Sequence, residues 1–252
     1  MQTSFMARPL RTLLGAAVSA LLAFALASSA LAEELSANSR IYPATAKPFG
    51  KTYAEWTAKW WKWALALPVD GHPFDASGFD CDATDNGQSG PVWFVALSSS
   101  PPMVERSCTI PPGKAVLVSL ANVECSSLEP TFPDGTGGQT EEERRACATF
   151  FANHVVVSSL FCTIDGKAVK HLGHFRFPSA QFTFTAPTPW IFGATGGTGK
   201  SVSDGYFVML KPPAPGTHTA SCGGTFHFST ADGDPFDADF GFGNAYYLTV
   251  MP

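Results

Sequence analysis

His171 and His174, three residues apart in HLGH, with His218 and His227 further along, are the side chains best suited to hold a transition metal. Imidazole nitrogens bind zinc and copper, and such a site needs at least a third ligand beside a pair. Odd spacing on a strand sends His171 and His174 to opposite faces, so a bulge at Gly173 would be needed to align them. The competing reading is four scattered polar histidines. Aspartates offer a second chemistry: Asp232, Asp234, Asp237 and Asp239 crowd into ADGDPFDADFG, and Asp75, Asp80, Asp82 and Asp85 into an earlier loop. Oxygen ligands at short intervals around a turn suit calcium, although the spacing is not that of an EF-hand. Aspartate is also an ordinary turn residue, so calcium is expected only as an optional structural ion.

Three further chemistries are weaker. ATGGTGKS (194–201) satisfies a loose phosphate-loop pattern, but that motif needs a helix after it and SVSDGYFVML reads as a strand. Nucleophilic catalysis lacks G-x-S-x-G, and GQSG (87–90) does not have the elbow spacing. Glu105, Glu124 and Glu129 supply carboxylates from which an acid–base pair could be drawn, without the sequence singling out two. Trp61, Trp93, Trp190 and Tyr206 are the candidates for stacking on a sugar ring or another apolar-faced small molecule; the alternative is that they fill the core.

The elements that must position these groups begin with KTYAEWTAKWWKWALAL (51–67), which packs four tryptophans into one helix. Thr52 and Glu55 make a capping box, and Pro68 sets the end, giving a helix over 52–67. Trp56, Trp60, Trp63 and Leu67 share one stripe, with Trp61 off it. A second, short helix is expected over 141–153, capped by Thr140 and Glu143. Elsewhere short alternating runs are separated by Gly and Pro, with hairpin turns expected at Pro111-Pro112-Gly113 and Asp165-Gly166. This pattern predicts a mainly β, single-domain antiparallel β-sandwich over 51–252, preceded by an extended leader at 33–50.

Residues 1–32 read as a signal peptide, with Arg8 and Arg11 before an apolar run and Ala30-Leu31-Ala32 at its end. Removing those two of the 16 basic residues leaves 14 against 21 acidic ones, a net charge of −7. That balance excludes an electrostatic footprint for nucleic acid, and no later stretch is apolar enough to be an integral membrane segment. Six cysteines in an oxidising compartment predict three disulfides, of which Cys81–Cys108, Cys125–Cys147 and Cys162–Cys222 bracket plausible strand contacts.

GKTYAEWTAKWWKWAL, GQSGPVWF, CTIPPGKAVLVSLANVEC and SDGYFVMLKPPAPGTHTASCGGTF together resemble a group of secreted bacterial proteins. These share a GKTYxEWxxxWWxWA opening and a CT[IV]PxGKA hairpin. The resemblance implies one secreted bacterial domain and transfers no catalytic residues. The functional expectation is an extracytoplasmic, periplasmic or secreted protein, non-enzymatic, that binds glycan or a small molecule or is associated with the envelope. A metal-binding protein or metal-dependent enzyme using the four histidines is the rival, and a structural or assembly protein the third reading.

Overall fold

The computed structural model describes residues 38–75, 87–96, 98, 103–193 and 195–252. The expected signal peptide, and Asp80, Cys81, Asp82 and Asp85, lie outside them. The tryptophan helix α1 runs Tyr53–Ala64 and starts as its sequence dictates: Thr52 Oγ1 accepts from Glu55 N, and the Glu55 carboxylate accepts from Thr52 N at 2.7 Å. It stops short of 67, because a residue before proline avoids the helical conformation, and tight turns from Trp63 and Ala64 carry the chain on to Pro68. Helix α2, Glu141–Asn153, has the second capping box, Thr140 with Glu143.

Among the described residues, nine strands form two sheets. They are β1 Val92–Val95, β2 Val104–Ile110, β3 Ala115–Thr131, β4 Phe161–Ile164, β5 Lys167–Ala168, β6 Phe182–Ala186, β7 Gly197–Leu210, β8 Gly216–Phe228 and β9 Ala238–Val250. One sheet has the order β1-β3-β7-β6 and the other β2-β9-β8-β4-β5. The apolar core lies between them, so the sandwich expected from the alternating runs is what forms.

Two details differ from an all-antiparallel meander. The turn at Pro111-Pro112-Gly113 does not close a hairpin; β2 belongs to one sheet and β3 to the other. Turn residues dictate a chain reversal, but whether the flanking strands then pair is decided by where their apolar faces find a core. The first three strands alternate between the sheets, and β1 lies parallel to β3 while β2 lies parallel to β9. Asp165-Gly166 does make the expected two-residue hairpin, both residues at positive φ, with Ile164 opposite Lys167. The segment Gly197–Ser201 is the first part of β7, paired with β6, which removes the phosphate-loop reading.

Two of the three expected disulfides lie wholly within the described residues. Cys125–Cys147 fastens α2 to β3, and Cys162–Cys222 joins directly opposed residues of β4 and β8. Cys108 is also disulfide-bonded, and Cys81, its expected partner, is outside the described residues. The leader contributes to the sheet as well: Ile41 bridges Leu210, and Tyr42 N donates to Met209 O at 2.8 Å. Tyr53 pins α1 to the same place, accepting from Met209 N and donating to Tyr42 O.

Helix α1 packs on β6 and β7. Trp60 is its anchor, edge-on to Phe207 at 5.4 Å between centroids and stacked on Phe74 at 6.0 Å, with Nε1 donating to Val95 O at 3.0 Å. Replacing Trp60 by Ala therefore removes an indole that touches β1, β7 and the post-helix segment at once. Urea unfolding of Trp60→Ala is expected to show a loss of about 3–5 kcal/mol. A loss below about 1 kcal/mol would mean that the helix does not seal this core.

Candidate functional site: an aromatic cavity with a carboxyl pair

The two sheets part around a cavity of about 230 Å³. Its walls are Trp60 and Trp61 from α1, Phe226 from β8, Phe242 from β9, and Phe74 and Phe192 from loops. Strand β3 contributes the polar side, with Ser119, Asn122, Glu124 and Glu129. Phe192 is 42% exposed and marks the rim.

Glu124 and Glu129 are only 6% and 7% exposed. Five residues apart on a regular strand, they would point to opposite faces. They meet because β3 leaves β7 after Ser126, whose partner is Ser201. Beyond that point Glu129 turns its carboxyl back, accepting from Ser126 Oγ at 2.8 Å, Ser126 N at 3.2 Å and Thr136 Oγ1 at 2.5 Å. Gly137 closes this loop against Ser126 and Thr131 and must be glycine, because a Cβ there would lie 2.3 Å from Ser126 O and 2.8 Å from Glu129 Cβ. Arg144 ties the loop's end to α2, donating to Gly138 O at 2.7 Å and Gln139 O at 3.0 Å.

Glu124 accepts from Ser201 Oγ through Oε2, while its Oε1 has no hydrogen-bond partner. Burial pushes the Glu124 carboxyl well up from its ordinary range, and the neighbouring Glu129 pushes it further. Burial also raises Glu129, against hydrogen bonds from Thr136 and Ser126 that favour its ionised form. The two carboxyls are within hydrogen-bonding reach, and burial together with their mutual repulsion favours a protonated form of the pair over two adjacent charges. Trp61 Nε1, in the same wall, is a second buried polar atom without a partner.

The roof over Trp60 and Trp61 is the segment around Phe74, and it is held through its backbone. Arg106 donates to Pro73 O at 2.7 Å and to Asp75 O at 2.6 Å. Asn244 accepts from Ser98 N, and Asn244 and Tyr246 both donate to Ala96 O. His72 accepts from Phe74 N through Nδ1, which leaves the proton on Nε2 to donate to Ala64 O. Burial lowers its pKa and keeps it neutral.

The residues singled out from the sequence are placed differently from what their spacing implied. Trp61, Trp93, Trp190 and Tyr206 are all buried and share no exposed stacking face; Trp61 lines the cavity, and the other three do not. Trp61 is covered despite lying off the helix stripe because Phe74 packs on it at 5.7 Å. The four histidines do not converge. His171 and His174 stack on each other, His218 bonds Asp165, and His227 bonds Asp239. Asp234 and Asp237 serve as caps for Ser229 and Thr230, and His154 also bonds Asp234, which spends their oxygens within the loop around Asp232. Among the described residues no three His, Cys, Asp or Glu form a group able to hold a metal ion, calcium included. A second, larger cavity beside Lys51, Lys59 and Lys62 has flexible surface lysines rather than buried unpartnered polar atoms.

No protein-family model, curated protein or solved structure matches the chain.

The raised carboxyl pKa has a definite sign. The folded state holds the Glu124 proton more tightly than the unfolded state, so this contribution is complete below the ordinary value of 4.5 and is lost as pH rises through the folded value. Glu124→Gln is expected to flatten that dependence, gaining stability relative to the parent as pH rises, by roughly 1–3 kcal/mol at neutral pH. Melting curves of the two proteins across pH check it; parallel curves would show that Glu124 titrates as if in water.

Proposed function

We propose that this is an extracytoplasmic binding protein, not an enzyme, that holds a small molecule with an apolar body in the cavity between its sheets. One observation carries the reading: a cavity walled by two tryptophans and four phenylalanines whose lining also includes a buried carboxyl pair, Glu124 and Glu129. An apolar cavity with a few convergent polar groups is what a small-molecule site consists of, and two carboxyls buried side by side are costly unless something is there to meet them. The size is right for a ring with a short side chain, since a dry cavity of about 150 Å³ admits benzene. A glycan suits the site less well, because its many hydroxyls would meet more aromatic carbon than hydrogen-bonding groups. The export expectation agrees with the disulfides, which persist in oxidising compartments. No described helix is long and apolar enough to cross a membrane.

2-Phenylethanol, a neutral ring-bearing probe, is expected to bind and shift the tryptophan fluorescence, with Trp60 and Trp61 in the wall. Phe192→Ala, at the exposed rim, is expected to keep the fold and weaken binding roughly 3- to 10-fold. No fluorescence response, or one that Phe192→Ala leaves unchanged, would overturn this function.

A further inference from the structure

Resting on that reading, we infer that the ligand is a small primary or secondary amine bearing an apolar ring, whose ammonium N–H groups take the place of the proton between Glu124 and Glu129. Glu124 and Glu129 both line the cavity, and once ionised their carboxylates can only accept, so what replaces a proton on the pair is a donor. A carboxyl pair in an aromatic enclosure is poorly served by a neutral apolar guest, which offers neither carboxyl a donor. An ammonium answers both carboxyls, having several donors and the opposite charge.

The walls decide between kinds of cation. Magnesium and calcium need many oxygen ligands and give up water reluctantly, and here two carboxyls stand among indole and phenyl rings. A singly charged organic ammonium gives up its water more readily than a divalent metal ion and is attracted to the faces of aromatic rings such as those of Trp60 and Trp61. A quaternary ammonium has the charge without N–H groups, so it would leave Glu124 Oε1 unpaired. The partnerless donor of Trp61 suits the π-face of an aromatic ring, a weak acceptor. The acidic chain, with 21 acidic against 16 basic residues, favours the approach of a cation.

The charged group facing Glu124 is Glu129 from its own strand. Strand β7 presents Ser201, and the loop after β3 presents Thr136 to Glu129; both are neutral hydroxyls. A cation entering this pair ionises both carboxyls and expels the proton they shared. Binding is then coupled to proton release, which a purely apolar cavity would not show.

Titration calorimetry of the intact protein with 2-phenylethylamine and 2-phenylethanol, at neutral pH in two buffers of different ionisation enthalpy, tests this. The amine is expected to bind roughly 10- to 100-fold more tightly than the alcohol, and to release about one proton. Glu124→Gln is expected to abolish both the preference and the release, and Glu129→Gln to reduce them. Should either variant fail to fold, the proton count of the wild-type protein still decides. Alcohol binding as tight as amine binding, amine binding without proton release, or folded glutamine variants that keep the preference would each overturn the inference and leave the small-molecule reading standing. Failure of both probes to bind would remove the two together.

Discussion

Everything in this molecule depends on one indole being held from three sides. Trp60 donates to the backbone of β1, lies edge-on to Phe207 of β7 and stacks on Phe74. The two sheets would otherwise open onto solvent where they part around the carboxyl pair. A helix of twelve residues carries little intrinsic stability in water, so its position is set by tertiary contacts of this kind. The same contact closes the core and makes one wall of the cavity, which is why fold and site cannot be separated here.

Much of the architecture was legible because the relevant physics is local. Both capping boxes, the Asp165-Gly166 turn and the aromatic helix follow from residues within a few positions of one another. Pro111-Pro112-Gly113 misled for the opposite reason: a reversal is local, but the partner sheet of the next strand is not. The glycine-rich stretch before Ser201 likewise carries the composition of a loop, yet pairs with β6 because Phe184 and Ala186 must be buried across from it.

The site was visible only as ingredients. Glu124 and Glu129 stood, with Glu105, among the carboxylates that could pair, and nothing in their spacing singled them out. What joins them is the departure of β3 from β7 after Ser126, together with the close approach of Gly137 and the grip of Arg144. None of these has a spacing signature. Of the residues that did have one, His218, His227, Asp234 and Asp237 are engaged in hydrogen bonds in their own surroundings, and His171 and His174 stack on each other. A motif reports what residues can do; here backbone departure from regularity determined which of them do it together.

The roof of the cavity is fastened by carbonyl groups, not by side chains. Arg106 holds the oxygens of Pro73 and Asp75, and leaves the ring of Phe74 between them out of that grip. That ring, free of the clamp, stacks on Trp60 and lines the cavity, so one side chain belongs to both the core and the wall. Any change of ring size at Phe74 reshapes the cavity and the seat of Trp60 in one step, while the backbone clamp stays where it is, so enlarging the hollow carries a cost in cohesion.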